Sequence, residues 1–310
     1  MVVRALLTLA VAVATLALAI PAAQASFPGR NGSLVFTSVY NHGPGTSAVS
    51  IGRVSPRTGA TRSALLCGAA SDPDCIAATA STVAPDGRHI ALLTIGGIVP
   101  PFDAALWIVP LAPGATQLVD LTDPFRFPAW FTPRARTLRW LPGGDRLSVP
   151  LLSPQNETLT VALGLDGAIG QQLLPPDATA VDWAVDGRAA YIQDGRLHVD
   201  GRRLTARRAQ DPSWSPRGKW IAFTRSGSVF AVPSAGGKAR RLTAGSEPVW
   251  APNGRSIAFL RRGVTRPNQG VGLASFHVYS WRTRHTRRLT PPLFGEDLTI
   301  SPPDWQPLPR

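Results

Sequence analysis

A twelve-residue pattern recurs along the chain, and its last copy is divided between the two chain ends. The two clearest copies, Pro212–Phe223 and Pro248–Phe259, both read Pro-x-Trp-x-Pro-x-Gly-x-x-Ile-Ala-Phe. Weaker copies occupy residues 82–92, 139–144 and 182–188. Near the C-terminus, Pro303–Pro307 supplies only the first half of the pattern, and Gly29–Phe36 supplies only the second half. Joined tail to head, these two segments make one complete sixth unit.

Complementary half-repeats at the two ends predict a chain that is circular in space. A linear solenoid needs capping repeats at its ends rather than two halves of one unit. A closed ring joins its ends through one shared unit, which removes strand edges that would otherwise invite pairing with other chains. We therefore expect the first and last segments to pair with each other.

Each unit contains four short strand-like segments, of which the Trp-bearing segment is the first. The turns between them carry Asp-Gly, Asn-Gly or Gly-Gly, as antiparallel hairpins require. The fourth segment often ends in Leu-Thr, at residues 121–122, 204–205, 242–243 and 289–290. Only 16% of residues are charged, against about 25% in an average soluble domain, which disfavours a helical bundle. The sequence predicts an all-β, six-bladed β-propeller of four-stranded antiparallel blades.

The repeat pattern and the Arg-Leu-Thr endings resemble the TolB-like six-bladed β-propellers, whose units are called WD40-like repeats. The resemblance covers essentially the whole chain after residue 25. TolB itself carries an additional N-terminal α/β domain that helps to link it to the Tol machinery. The first repeat strand here begins directly after the predicted leader, so we expect this chain to lack that domain and do not carry a Tol–Pal role over to it.

Residues 1–25 have the three zones of a secretory signal. Arg4 is the only charge, the run Ala5–Ile20 is apolar, and Ala23–Ala25 forms an A-x-A cleavage box. The alternative is a retained membrane anchor, but Pro21 and a run shorter than the roughly 20 residues of a membrane span favour cleavage. We expect a signal peptide at 1–25, a single propeller domain at 26–310, no membrane span after cleavage, and a periplasmic, cell-envelope or extracellular location.

The chain has two cysteines, Cys67 and Cys75, which flank one short loop. Two nearby cysteines in an exported chain favour one disulfide, and the short loop predicts a modest stabilisation of about 2–3 kcal/mol. A two-ligand metal site is the alternative, but the sequence offers it no further ligands.

The long segments belong to two kinds of connection that leave an up-and-down blade on the same face. Some join a fourth strand to the next blade, at residues 67–81, 123–138 and 291–303. Others join second to third strands, at residues 37–48, 95–104 and 261–274. The turns between third and fourth strands are expected to be short. Because binding residues concentrate on elaborate loops over a rigid scaffold, we expect this face to bind the partner.

One of these segments is rich in aromatic and cationic side chains. Phe125, Arg126, Trp130 and Phe131 are the candidate contact residues for a protein or an envelope glycan. The alternative is that the aromatic rings pack onto neighbouring loops while the arginines are solvated.

The residue before each anchor tryptophan should lie on the innermost strand. Arg139, Asp182 and Asp304 hold this position in three of the units. They could pair with each other or hold a polar ligand at the central channel.

The sequence favours binding over catalysis. There is no Gly-x-Ser-x-Gly nucleophile motif, and six blades leave no room for a hydrolase domain. None of the five histidines has zinc-ligand spacing with a carboxylate, so no catalytic residue, metal or cofactor is predicted.

The net charge of +13, with arginine clusters in the second half, suits an anionic envelope glycan, whereas export argues against nucleic acid. We expect a monomeric, exported, non-catalytic binding propeller. The alternative is a lyase-like, polysaccharide-acting enzyme with a channel metal, for which His42 and His277 would be candidate ligands.

Overall fold

A computed structural model describes residues 27–41, 47–67, 77–96, 103–111, 125–126, 138–153, 155–263, 274–291, 293 and 298–309. In these residues the chain is all-β without helices, and its strands form six antiparallel blades in a ring. Five blades have four strands each, and in the remaining one two short strands from the C-terminal end of the chain together take the place of the innermost strand. This confirms the predicted six-bladed β-propeller. No described residue belongs to a helix that could cross a bilayer.

The strands follow one another blade by blade around the ring. Blade 1 begins with β1 (Arg30–Asn41), β2 (Ser47–Val54) and β3 (Thr61–Cys67). Blade 2 contains β4 (Ala77–Val83), β5 (His89–Gly96), β6 (Asp103–Pro110) and β7 (Phe125–Arg126). Blade 3 contains β8 (Arg139–Trp140), β9 (Arg146–Leu152), β10 (Thr158–Gly164) and β11 (Ile169–Gln172). Blade 4 contains β12 (Thr179–Trp183), β13 (Ala189–Gln193), β14 (Arg196–Val199) and β15 (Arg202–Arg203).

The remaining strands complete the last two blades and then return to the first. Blade 5 contains β16 (Gln210–Trp214), β17 (Trp220–Arg225), β18 (Ser228–Pro233) and β19 (Arg240–Ala244). Blade 6 contains β20 (Ser246–Trp250), β21 (Ser256–Arg262), β22 (Ala274–Ser280) and β23 (Thr286–Arg288). The last two strands, β24 (Leu298–Ile300) and β25 (Asp304–Leu308), both pair with β1 of blade 1.

The ring closes through this pairing of the chain ends, as the divided repeat predicts. In the β1–β25 ladder, Leu34 lies opposite Trp305 and Val35 opposite Asp304. The Ser33 N–H also donates to Gln306 Oε1 at 3.3 Å. The two half-repeats therefore build one blade, and the innermost and second strands of blade 1 come from opposite ends of the chain.

The anchor tryptophans hold neighbouring blades together. Three of the five in the described residues donate their indole N–H to the preceding blade: Trp140 to Thr82 O, Trp183 to Ser148 Oγ and Trp214 to Asp182 O. Trp305 donates instead to Gly32 O on the neighbouring strand of its own blade. Around them, apolar side chains of adjacent blades form shared clusters, such as the one that joins Leu197 of blade 4 to Trp214 and Phe223 of blade 5. The repeated tryptophan thus has a structural role between blades.

The Leu-Thr endings complete the outer strand of a blade by bonding back to the third strand. Leu204 N–H donates to Leu197 O at 2.7 Å, and Leu197 N–H donates to Thr205 Oγ1 at 3.2 Å. Blade 6 repeats this arrangement with Leu289, Thr290 and Phe276. The dipeptide follows the fourth strand in both blades and satisfies the backbone there.

The strand ends revise one detail of the sequence prediction and leave another untested. The second strand of blade 1 continues to Asn41 and the third begins at Ser47, because these residues extend the β1–β2 ladder. Their connection is therefore shorter than 37–48. In blade 2, the fourth strand is β7 and pairs with β6 at Leu106, whereas Leu121-Thr122 lies outside the described residues. The prediction of a short turn between the third and fourth strands of this blade therefore stays a prediction.

The two ends of the propeller differ. The turn face carries the connections between first and second strands and between third and fourth strands. The long-loop face carries the connections between second and third strands and between consecutive blades. The first strands run from the long-loop face towards the turn face.

Candidate functional site

Arg139 and Asp182, two of the predicted channel residues, lie on neighbouring innermost strands and pair with each other. Arg139 Nε lies 3.7 Å from Asp182 Oδ1. The other carboxylate oxygen of Asp182 accepts the backbone N–H of Trp214 at 2.6 Å. Asp182 therefore links blades 3, 4 and 5.

Asp304 contacts blade 2 instead of the other two predicted channel residues. Its Oδ2 accepts the hydroxyl of Thr82 and the backbone N–H of Val83, each at 2.9 Å. Its Oδ1 accepts the N–H of Trp305 at 2.8 Å. This carboxylate thus joins the blade that closes the ring to the blade that follows it.

Two acidic residues that the sequence analysis did not select lie closer to the long-loop end of the channel. Asp211 and Glu247 each stand three residues before an anchor tryptophan, and both have a positive φ, of 49° and 54°. The conformation belongs to the repeat, because Ala180 at the same position of blade 4 has a φ of 47° and all three residues lie where the first strand shifts register. The signal that could have found them is their equivalent position in two aligned repeats.

These carboxylates lie among arginines from other strands. Glu247 Oε1 accepts a hydrogen bond from Arg262 Nη2 at 2.7 Å. Burial raises the pKa of Asp211, and the Thr224 hydroxyl together with the charges of Arg139 and Arg262 acts against that rise. Arg139 comes from blade 3 and Arg262 from blade 6, so their fields converge from two sides on Asp211. We call Arg139, Asp182, Asp211, Glu247 and Arg262 the channel cluster.

The remaining predicted contact residues are only partly placed. Phe125 and Arg126 form β7, at the outer edge of blade 2, where they pair with Leu106 and Ala105. Trp130 and Phe131 lie outside the described residues. Cys67 ends β3, and Cys75 lies outside the described residues, so the disulfide stays a prediction.

His277, which the sequence analysis named as a possible metal ligand, is buried inside blade 6. Its Nε2 and Ser275 Oγ are hydrogen-bonded at 2.9 Å, and its ring stacks on Phe259 with centroids 5.5 Å apart. Burial, together with the charges of Arg261 and Arg288, lowers the pKa of His277 to about 4. His42 lies outside the described residues. Within the described ranges, no three histidine, cysteine or acidic side chains come together as a possible metal site.

Comparison with known proteins agrees with the fold. No family model matches the chain. No curated protein matches it either. TolB from Acinetobacter baumannii superposes with a TM-score of 0.57 and 15% identity, over 91% of this chain and 68% of that one. A putative TolB from Agrobacterium tumefaciens gives a TM-score of 0.54 and 17% identity, over 89% of this chain and 100% of that one. The chain therefore has the fold of the TolB-like six-bladed β-propellers.

Proposed function

We propose that this protein is an exported, non-catalytic binding propeller that contacts a protein through its long-loop face. The observation that carries the proposal is the unequal length of the connections at the two ends of the ring. On the long-loop face, wide gaps separate Cys67 from Ala77, Arg126 from Arg139, and Arg262 from Ala274. On the turn face, tight turns join β12 to β13, β16 to β17, and β20 to β21. Variable loops on a rigid scaffold are the usual location of binding residues.

The channel cluster supports a polar contact at the centre of this face. Asp211 and Glu247 lie near the long-loop ends of their strands, and Arg262 ends the second strand of blade 6. Their charges are of both signs and are partly buried, so a partner of complementary pattern would be selected by charge as well as by shape. The aromatic segment of residues 125–131 would add apolar contact area at the periphery.

Export is part of the proposal and has a direct test. The signal at residues 1–25 predicts a mature N-terminus at Ser26. Intact-mass analysis of the protein recovered from an envelope or secreted fraction should give a chain of residues 26–310. A cytoplasmic chain that retains residues 1–25 would contradict export.

A comparison of two variants tests the binding face. Wild type, a Phe125/Trp130/Phe131→Ala variant and a turn-face Arg217/Arg255→Ala variant are used to capture partners from envelope extract. A captured protein is then purified and its affinity for each variant is measured. We expect the long-loop variant to weaken binding at least tenfold and the turn-face variant to leave it unchanged. Equal affinity of all three chains would overturn the assignment of this face.

A further inference from the structure

Two adjoining cavities lie on the turn face, on the side opposite to the proposed protein contact. One has a volume of about 850 Å³ and extends between blades 1, 5 and 6. The other has a volume of about 430 Å³ and lies against blades 5 and 6. They share Pro216–Arg217 and Asn253–Arg255, so they form one continuous depression, which we call the turn-face groove.

The turn-face groove is positively charged throughout. Arg30, Arg57, Arg217 and Arg255 line the larger cavity, and no carboxylate of the residues that the structure describes lines either one. None of these four exposed arginines has an ion pair among the residues that the structure describes. Unpaired guanidinium groups around a cavity recognise carboxylates through charge-assisted, often bidentate hydrogen bonds. The groove is therefore suited to an anionic ligand.

The smaller cavity adds an aromatic wall to this charge. Trp220, Trp250 and Trp281 line it. The ring centroids of Trp281 lie 5.2 Å from Trp220 and 4.8 Å from Trp250. The guanidinium of Arg240 stacks over Trp220 and Trp281, at 4.7 and 4.0 Å from their centroids. The three indoles thus form a rigid, preorganised surface at one end of the groove.

Trp250 differs from the other four anchor tryptophans. Its Nε1 is buried and has no hydrogen-bond partner among the described residues, whereas the other four indole N–H groups each donate to an acceptor. A buried donor without an acceptor is unusual in a native structure and needs an explanation. Here the donor belongs to a residue that lines a cavity. A ligand oxygen in that cavity could accept the indole N–H after a small shift of the ring.

We propose that the turn-face groove binds an acidic oligosaccharide, with uronic-acid carboxylates on the arginines and a pyranose ring against the tryptophans. The volumes of both cavities lie within the usual range of small-ligand sites, about 300–1,000 Å³. Flat indole faces match the apolar faces of sugar rings, and the linked cavities provide space for consecutive units. Neutral glycans would leave the guanidinium groups uncompensated.

An acidic peptide fits the groove less well. The turns that border it use their backbone N–H groups internally, since Gly218 N–H donates to Ser215 O and Gly254 N–H donates to Ala251 O, each at 2.8 Å. A peptide that binds through its main chain needs a free strand edge or exposed backbone donors. Recognition in the groove is left to guanidinium and indole groups.

Calorimetric titration of the full mature chain with trigalacturonate tests the inference. We expect measurable binding that weakens as salt rises from 50 to 300 mM, because exposed charges are screened over this range. The uncharged analogue galactotriose should bind at least tenfold more weakly. Arg217/Arg255→Ala should weaken trigalacturonate binding at least tenfold. The matched control Arg203/Arg207→Ala removes the same charge from exposed positions outside the groove and should leave binding within twofold of wild type.

A second variant and a second probe make the result decisive. Trp250→Phe keeps an aromatic ring but removes the indole N–H, and should weaken trigalacturonate binding at least threefold. Thermal unfolding of the same variant shows whether it is still folded. Three results would each overturn the proposal. They are no binding at millimolar trigalacturonate, an equal loss of trigalacturonate affinity in both double-arginine variants, and tighter binding of a tri-glutamate peptide. The inference goes beyond the proposed protein contact, and its failure would leave the affinities measured with the long-loop variant unaffected.

Discussion

The interface between blades 4 and 5 and the interface between blades 5 and 6 are built from the same repeat residues but are completed differently. At the first, Trp214 is fully buried and forms two hydrogen bonds with Asp182, from its backbone N–H to Oδ2 at 2.6 Å and from Nε1 to the carbonyl at 3.1 Å. Arg188 stacks over the ring at 4.8 Å. Both N–H groups of this tryptophan therefore have acceptors in the preceding blade.

At the second interface, Ser213 replaces the aspartate and accepts the backbone N–H of Trp250 at 3.1 Å. The indole N–H has no acceptor among the described residues, and Trp281 packs on the ring instead of an arginine. A cavity opens beside it. The same repeat position can therefore be purely structural in one blade and available to a ligand in the next. Which of the two applies depends on the hydrogen-bond acceptors that the preceding blade supplies to the tryptophan.

The largest expected effect comes from removing the charged acceptor at the first interface. Asp182→Ala leaves the Trp214 backbone N–H and the guanidinium of Arg139 without their partner, and should cost about 3–4 kcal/mol of stability. Ser213→Ala removes a neutral acceptor and should cost about 1 kcal/mol. Urea unfolding at pH 7.5 measures both. Equal losses would show that the two interfaces do not differ in this way.

The next largest expected effect is at the residue that precedes the first strand of each blade, which is a glycine with positive φ at the second interface and an alanine at the first. Gly245 has a φ of 141°, and a Cβ added there would lie 2.4 Å from Phe259 Cδ2 and 2.8 Å from Leu260 O. Ala209 is the equivalent residue at the first interface, because both N–H groups donate at 2.9 Å to a turn glycine of the preceding blade. Strain and overpacking should make Gly245→Ala cost about 2–3 kcal/mol.

The reciprocal variant completes this test. Ala209→Gly removes one buried methyl group and adds freedom to the unfolded chain, so it should cost about 1 kcal/mol. Thermal or urea unfolding of the two variants gives the comparison directly. If Gly245→Ala were the milder change, the close approach of Phe259 would not constrain this interface.

A cross-strand ring pair also recurs at these interfaces, with one substitution that introduces pH dependence. Phe223 stacks on Phe230 in blade 5 with centroids 5.8 Å apart, and Phe259 stacks on His277 in blade 6 at 5.5 Å. An arginine covers the phenylalanine in each case, at 4.9 Å for Arg225 and 5.7 Å for Arg261. His277 therefore occupies the position of Phe230.

His277 should make the wild type less stable in mild acid. Its folded pKa is about 4, against 6.5 for the ordinary group, so between these values the unfolded chain binds a proton that the folded chain does not. The contribution of neutral His277 to the free energy of unfolding is fully present above pH 6.5. It is lost as the pH decreases, and the loss is about 2 kcal/mol between pH 7.5 and pH 5. Urea unfolding of His277→Phe should lack this component, whereas a variant of the exposed His285, His285→Gln, should retain it. The same pH dependence in all three chains would contradict the assignment.

The sequence predicts the architecture well because the repeat encodes it locally. Three local features indicate the same fold. The Trp-x-Pro-x-Gly segments place the turns, the alternating segments place the strands, and the half-repeats at the chain ends indicate that the ring closes. In blade 2 the described part of the fourth strand is Phe125–Arg126, and the predicted ending Leu121-Thr122 lies outside the described residues.

The candidate site is less predictable because it depends on contacts between blades. Asp182 and Asp304 are recognisable as channel positions from the repeat, but the sequence does not show that they accept backbone N–H groups of the next blade. The turn-face groove combines Arg30 and Arg57 from blade 1 with Arg217 and Arg255 from blades 5 and 6. Only ring closure brings these residues together, so no local pattern predicts the groove.

The smallest expected effect isolates the indole N–H from the rest of the tryptophan. Phenylalanine at either anchor position loses similar apolar area, but only Trp214→Phe also leaves a buried acceptor, the carbonyl of Asp182, without its donor. Trp214→Phe should therefore cost about 1 kcal/mol more than Trp250→Phe, the usual net value of one neutral hydrogen bond. Equilibrium unfolding in urea measures the difference, provided that both variants keep the m-value of the wild type. A larger loss in Trp250→Phe would mean that its N–H is satisfied in solution, and would remove the distinction between the two interfaces from which the ligand site was inferred.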